Sequence, residues 1–336
     1  MKFARELIVP AGICVATFFV ALTLATRAGI SGNQILFDYF EIAAFTTLLA
    51  FLFCCLLPSL RPRELRQHSP IAAGISLLRD RWLLLLVPLF MFPVFMTGFT
   101  VSKTAFPHFV GFQWDGFWTV ADEILFAGQD PWRLTHAWIG RQGTLFLSQC
   151  YTFMWGVILA IAPPLLLLGR RPGQGIRFYH AQMLMWFLGG VVGATLFSSA
   201  GPIFADLVDP ALGGRFEPLR SSLAVLLPEH HLMLQTQEYL RNSYGMPAAV
   251  RGAGISAMPS MHLGVVALFV IVARGTIWFI PAVAFWLLIW VGSVHFGFHY
   301  ALDGIAGAVV AWFSWALTAP RQKVPEPLPV EGLALT

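Results

Sequence analysis

Eight apolar stretches, each close to the length that crosses a bilayer, constrain this chain more than any other feature. Hydrocarbon about 30 Å thick takes about 20 helical residues, and backbone polar groups inside it must pair within the same segment. The composition agrees, since 57% of the residues are hydrophobic and 11% are charged. We predict an all-α, polytopic membrane helical bundle of about eight transmembrane helices. The predicted spans cover approximately residues 7–26, 39–58, 82–101, 145–168, 181–199, 258–273, 277–295 and 301–319.

The distribution of basic residues predicts how the bundle is oriented. With eight spans both termini share one side, and more than half of the 21 basic residues fall there. The loops on that side are short, which is where lysine and arginine count most toward a cytoplasmic location. We therefore expect cytoplasmic N- and C-termini, with two long loops, about 102–144 and 200–257, on the outer face.

The chain is expected to divide into three regions. Residues 1–81 form a two-helix N-terminal extension with a cytoplasmic basic loop, and residues 82–319 form a six-helix catalytic core. The tail at 320–336 is rich in proline and polar residues, which predicts disorder. Within the second long loop, the stretch 230–245 has a weakly amphipathic pattern and predicts a surface helix. We find no nucleotide-binding glycine loop and expect no nucleic-acid partner.

A polar cluster, "SAMPSMHLGVV" at 256–266, stands at the start of the sixth span. Polar groups at membrane depth are costly and are usually functional. Proline is favoured at a first helical position, so we expect Pro259 to begin the span. The free backbone N–H groups of that first turn, together with the Ser260 hydroxyl, would then attract an anion such as phosphate. His262 falls in the same turn.

A second cluster, "GSVHFGFHYALDG" at 292–304, returns to the same membrane face after one crossing and one return. It places His299 and Asp303 at positions i and i+4, where the last span begins. A carboxylate one turn from an imidazole accepts its N–H, fixes its tautomer and raises its basicity. The sequence thus predicts that His262 and an oriented His299 converge on one anion site.

This set of side chains suits phosphoryl transfer. His299 would attack phosphorus, Asp303 would hold its tautomer, and His262 would serve as acid and then as base. Positive charge must meet the phosphate oxygens. Arg251 is the nearest cation in sequence, and Lys103 stands at the outer end of the third span.

At these residues the chain resembles the type 2 phosphatidic acid phosphatase superfamily of integral membrane enzymes. The family motif P-S-G-H corresponds to Pro259–His262, and S-R-x5-H-x3-D corresponds to Gly292–Asp303. The resemblance covers about residues 82–319. It implies that His299 is the nucleophile, Asp303 its partner and His262 the acid. It also implies a phospholipid or polyprenyl phosphate substrate, chemistry without a metal or cofactor, and a bacterial inner (plasma) membrane location with an outward-facing site.

The departures from the family pattern point toward one branch. Ser293 stands where the family has a phosphate-binding arginine, Gly292 replaces a serine and Met261 replaces a glycine. The family's first motif, K-x6-R-P, is not found after Lys103. Missing arginines resemble the branch of inositol phosphorylceramide synthase and sphingomyelin synthase, which transfer head groups. The stretches 114–132 and 198–207 are similar to bacterial members near it. The intermediate then passes to an alcohol in a transferase, or to water in a phosphatase.

One alternative reading remains at the second cluster. His295, His299 and Asp303 fall at successive i, i+4 steps, a spacing that also suits metal ligands or a proton relay in a cation- or proton-coupled transporter. Against it, Gly297 is expected to break the helix. Six further charged residues of the long loops are expected to be structural or solvated, although the arginines among them are candidates for a substrate mouth. They are Asp115, Asp122, Asp130, Arg215, Arg220 and Arg241.

Overall fold

The computed structural model describes residues 7–246 and 248–319, so the expected disordered tail at 320–336 lies outside the described residues. Within the described ranges the chain is helical, and β-structure amounts to an isolated bridge between Ser31 and Ala248. In chain order, the helices are α1 (Ile8–Ala28), α2 (Asn33–Leu56), α3 (Pro70–His108), α4 (Asp115–Leu125), α5 (Pro131–Trp138), α6 (Arg141–Leu168), α7 (172–196), α8 (Pro210–Leu226), α9 (Leu232–Ser243), α10 (Met261–Ala273), α11 (Phe279–His295) and α12 (Ala301–Leu317).

Each predicted apolar span overlaps one helix, and in chain order these are α1, α2, α3, α6, α7, α10, α11 and α12. By length and composition, α1, α2, α3 and α6 are able to cross a membrane, and α10, α11 and α12 are shorter apolar helices. The prediction of an all-α membrane bundle is therefore confirmed.

Helix α3 is much longer than the span predicted for it. Ser69 caps its first turn by accepting the Ala72 N–H, and Pro70 occupies the first helical position. A serine cap followed by proline is a strong start signal, and it allows the polar turn at 79–81 to remain helical. The boundary expected at residue 81 consequently falls inside α3.

The two long loops fold into helices α4, α5, α8 and α9, which with their connecting segments are called the cap below. The amphipathic stretch at 230–245 forms α9, as predicted, and the His231 ring accepts the Met233 N–H at its start. The cap lies where α10 and α12 begin. Asp122 of α4 accepts the backbone N–H groups of Ala301 and Leu302 at 2.7 and 3.2 Å, which fixes the start of α12 to the cap.

The first two helices are packed into the bundle. Helix α1 lies along α3 and α7, and α2 lies along α3 and α6. The α1–α2 connection reaches the cap, where Ile30 packs with Val101 and Ala249. The far end of α12 lies away from the cap, where Arg177 of α7 donates to the Trp315 carbonyl at 2.7 Å.

Candidate active site

Helix α10 begins two residues later than the start predicted at Pro259. Ser260 is the N-cap, and its hydroxyl oxygen accepts the Leu263 N–H at 3.5 Å, so the first helical residue is Met261. Pro259 therefore precedes the N-cap residue Ser260 and does not begin the helix, because serine is strongly preferred as an N-cap. Ser260 is fully buried, and its N–H donates to the Asp303 carbonyl at 2.9 Å. Its hydroxyl thus serves the helix, and its backbone ties the two sequence motifs together.

The His262 ring is held by two aromatic side chains of α6. It stacks on Trp155 at 4.1 Å between ring centroids and on Tyr151 at 4.9 Å, with only 6° between the latter planes. The Trp155 indole N–H also donates to the His262 carbonyl at 3.1 Å. Among the described residues, no group hydrogen-bonds the ring nitrogens of His262. The ring is therefore fixed by its faces while its edge stays available.

His299 lies in the turn between α11 and α12. Its Nδ1 is 2.8 Å from the Ala257 carbonyl oxygen and 3.3 Å from Oδ2 of Asp303. A carbonyl only accepts, so Nδ1 must carry the proton, and the neutral ring then has its lone pair on Nε2. Asp303, fully buried, also accepts the Tyr300 N–H at 2.9 Å. The contact expected between Asp303 and His299 is present, through a turn and not along one helical face.

The two imidazoles face one cavity of about 610 Å³. The His262 and His299 ring centroids are 6.1 Å apart, with 60° between the planes. Lys103 and Arg251 line the same cavity, and Lys103 is close enough to His262 for their charges to interact. No aspartate or glutamate of the described residues lines it. The cavity therefore presents two cations and two imidazoles to whatever occupies it.

Away from the histidines the cavity wall is mostly apolar. It includes Ile42 of α2, Pro88 and Met96 of α3, and Leu159 and Pro164 of α6. From Lys103 to Pro88 the wall follows α3 for roughly 22 Å, at 1.5 Å per residue. The cavity thus joins a polar end, at the histidines, to a long apolar channel in one continuous space.

A family model described as the PAP2 superfamily matches residues 127–317, which is more than half of the chain. The chain belongs to the PAP2 superfamily. No curated protein and no solved structure matches it. Together with the apolar helices, membership makes it an integral membrane protein of a phosphatase-type enzyme superfamily, as the two motifs predicted.

The family match covers only some of the residues that form the site of this PAP2 protein. His262, His299, Asp303 and Arg251 lie inside the matched range. Lys103 precedes it, as do α1, α2 and the whole of α3. Part of the cavity is therefore built by segments outside the family match.

The alternative cluster of His295, His299 and Asp303 is not formed. Helix α11 ends at His295, and the chain turns at Gly297, whose φ of 70° breaks the helical register as expected. The buried His295 ring instead contacts the Thr135 and Thr144 hydroxyls at 3.1 and 3.0 Å. Among the described residues there is no group of three or more histidine, cysteine, aspartate or glutamate side chains that could hold a metal. The transporter reading thereby loses the geometry on which it rested.

The acidic residues of the cap position the site without lining the cavity. The fully buried Asp115 carboxylate accepts the Ala200 and Gly201 N–H groups and the Tyr300 hydroxyl, at 2.8–3.0 Å. Burial raises the pKa of Asp122 to about 7. The hydrogen bonds from the α12 backbone N–H groups lower this pKa, but burial has the larger effect. These residues fix Tyr300 and the first turn of α12 directly after His299, a role that "WDGFW" and "SSAGP" in the sequence did not reveal.

The cap arginines form ion pairs within the cap. Arg215 pairs with Asp130 at 2.7 Å, and Asp206 pairs with Arg241 at 2.6 Å and with Arg220 at 3.4 Å. None of the three arginines lines the cavity. The expectation that they are loop charge, and not a substrate mouth, agrees with this placement.

Proposed function

We propose that this PAP2 protein transfers the phosphoryl group of a membrane lipid through a phosphohistidine on His299. The observation that carries the proposal is the convergence of His262 and His299 on one cavity whose charged lining residues, Lys103 and Arg251, are both cationic. A phosphate ester fits this chemistry, because its equatorial oxygens need positive charge and its reaction needs a nucleophile opposite an acid.

In the first half-reaction, the Nε2 lone pair of His299 attacks phosphorus, and the bond from phosphorus to the leaving alkoxide breaks. The Ala257 carbonyl keeps the proton on Nδ1, and the Asp303 carboxylate balances the positive charge that the phosphorylated ring acquires. Protonated His262 gives its proton to the departing alkoxide. Lys103 and Arg251 stay on the non-bridging oxygens.

In the second half-reaction, the acceptor hydroxyl approaches the phosphohistidine. His262, now neutral, takes the acceptor's proton as the new P–O bond forms. The P–N bond breaks, and its electron pair returns to Nε2 of His299. Both histidines are then in their starting forms, and no metal or cofactor enters either step.

The acceptor we favour is an alcohol, which makes the protein a head-group phosphotransferase similar to inositol phosphorylceramide synthase. Ser293 stands where the family arginine is missing, and it is buried with its hydroxyl donating to the Trp290 carbonyl. This departure is shared with the transferase branch. Hydrolysis to a lipid phosphate phosphatase is the second outcome of the same intermediate.

We propose further that the cap and the site face the outer side of a bacterial inner membrane. The basic connections at 61–66 and 170–171 lie at the end of the bundle away from the cap, which the positive-inside rule assigns to the cytoplasm. The apolar wall along α2, α3 and α6 would then hold the hydrocarbon chain of a lipid whose head meets the histidines.

One assay separates these outcomes. Purified protein in lipid discs is offered, in turn, phosphorus-labelled phosphatidic acid, a labelled polyprenyl diphosphate, and labelled phosphatidylinositol with ceramide. Label moving to ceramide identifies the transferase, and label moving to water identifies the phosphatase. His299→Ala should abolish transfer and His262→Ala should slow it by at least about 10²-fold, and Arg171→Met, at the far end of the bundle, serves as the matched control. Transfer at the wild-type rate in either histidine variant would refute the proposal.

A further inference from the structure

The loop that carries Arg251 is held by the N-terminal hairpin, defined here as α1, α2 and their connection 29–32. The Ala249 N–H donates to the Ser31 carbonyl at 3.0 Å, and a parallel bridge joins Ser31 to Ala248. The hairpin is thus hydrogen-bonded to the cap segment two residues before Arg251.

A second grip comes from the side chain of Tyr39 in α2. Its hydroxyl is 2.8 Å from the Thr100 hydroxyl of α3, and the backbone of Gly252 contacts the same hydroxyl. Tyr39 also lines the cavity beside Arg251. From the other side, the Tyr239 hydroxyl of α9 donates to the Arg251 carbonyl at 2.9 Å. Arg251 therefore stands on a loop braced by one tyrosine from each direction.

The same loop closes onto Lys103. A Cβ atom at Gly254, whose φ is 91°, would lie 2.8 Å from Cγ of Lys103, so only glycine permits this approach. Packing of the 248–256 loop against α2 and α3 thus places Arg251 and Lys103 in the lining of the same cavity. Both of these helices precede the region that matches the PAP2 superfamily.

We propose that the N-terminal hairpin positions the phosphate-binding residues of this site and thereby compensates for the arginine missing at Ser293. In this assignment Tyr39 is a positioning residue: its hydroxyl holds the Arg251 loop against Thr100, so that Arg251 and Lys103 meet the phosphate oxygens together. The assignment rests on the proposed function for the identity of the ligand. It extends that function by giving the segment outside the family match a role in substrate affinity.

The first test separates affinity from turnover. Losing one neutral hydrogen bond changes binding by about two- to tenfold, so Tyr39→Phe should raise KM for the lipid phosphate by about that factor and leave kcat nearly unchanged. Thr100→Val, which removes the partner hydroxyl, should act in the same direction. Tyr244→Phe is the matched control, because that hydroxyl has no hydrogen-bond partner among the described residues and the ring lies off the cavity on Phe112.

The second test asks whether Tyr39 acts through Arg251. If it does, the effects of Tyr39→Phe and Arg251→Met are not additive, and the double variant should have the KM of Arg251→Met alone. Additive effects, or a Tyr39→Phe effect confined to kcat, would overturn the assignment even if the protein is a phosphotransferase.

The third test does not depend on turnover. Orthovanadate is the probe for the anion site, and hydrogen exchange reports the 248–256 loop. Tyr39→Phe should weaken vanadate binding by about two- to tenfold and speed exchange in that loop but not in α9. Unchanged vanadate affinity or unchanged exchange would overturn the assignment. A wild-type protein that binds vanadate through this loop yet transfers no phosphoryl group would refute the proposed function alone.

Discussion

The Nδ1 atom of His299 lies 2.8 Å from the carbonyl oxygen of Ala257, closer than the 3.3 Å that separates it from Asp303. Two acceptors therefore share the task that the sequence assigned to one. The carbonyl is an obligate acceptor that fixes the tautomer, whereas the carboxylate adds negative charge beside the ring. The separation of these roles makes the contribution of Asp303 measurable.

Replacing Asp303 with asparagine should slow the reaction without abolishing it. The Ala257 carbonyl still keeps Nε2 unprotonated, so the loss is the charge stabilisation of the phosphorylated ring, about 10- to 100-fold in kcat. The asparagine oxygen can still accept the Tyr300 N–H, so α12 should keep its start. Steady-state kinetics on the folded variant measure this. Inactivity as complete as that of His299→Ala would contradict the shared role of the two acceptors.

The acid role of His262 predicts a dependence on the leaving group. With an alkoxide leaving group, His262→Ala should lose about 10²- to 10⁴-fold, because no proton reaches the departing oxygen. A p-nitrophenyl ester needs no such proton, so the variant should release a burst of about one p-nitrophenolate per protein and then stall. Stopped-flow absorbance follows the burst. An equal loss in the first turnover with both leaving groups would rule out the acid role.

Lys103 is predicted to bind phosphate rather than to stabilise the fold. Lys103→Met keeps the aliphatic chain but removes the charge, and losing a charged hydrogen bond should weaken orthovanadate binding by about 10- to 100-fold. Arg171→Met, an exposed cation at the opposite end of the bundle, should leave binding unchanged. Titration of both variants with vanadate is the measurement. Wild-type affinity in Lys103→Met would exclude this lysine from the anion site.

Asp122 should make stability depend on pH. Burial raises its pKa from 3.8 to about 7 in the folded protein. Between these values the folded state holds a proton that the unfolded chain has lost, so stability should fall as pH rises through this window. Thermal unfolding from about pH 5 to about 7.5 should therefore show a steeper fall of Tm in the wild type than in Asp122→Asn. Parallel curves for the two proteins would show that this carboxyl is not responsible.

The sequence predicted those parts of the site that local chemistry defines. His262 and His299 were expected at one membrane face because one crossing and one return separate them, and Gly297 was expected to break the helix. The beginning of α10 was misplaced by two residues, since a capping serine and a first-turn proline compete as start signals and the serine prevailed. Such competition between neighbouring signals is not resolved by pattern alone.

The remaining parts depend on contacts between distant segments. The Ser199 carbonyl accepts the Ala257 N–H and thereby positions Ala257, whose own carbonyl accepts the His299 Nδ1–H. Ser199 and Ala257 are 58 positions apart in the chain. Tyr39 reaches Thr100 and Gly252 across three elements. Neither residue carries a local signal, because a serine in a loop and a tyrosine in an apolar helix are ordinary there. Only the packing of the bundle gives them a place in the site.

The most direct measurement is the capture of the covalent intermediate. Protein mixed with phosphorus-labelled lipid is quenched in alkali within milliseconds to seconds, and the label is mapped by peptide. We predict alkali-stable, acid-labile phosphohistidine at His299, accumulating further in His262→Ala supplied with a p-nitrophenyl ester and absent from His299→Ala. Turnover without label on the protein, or undiminished label in His299→Ala, would contradict the account.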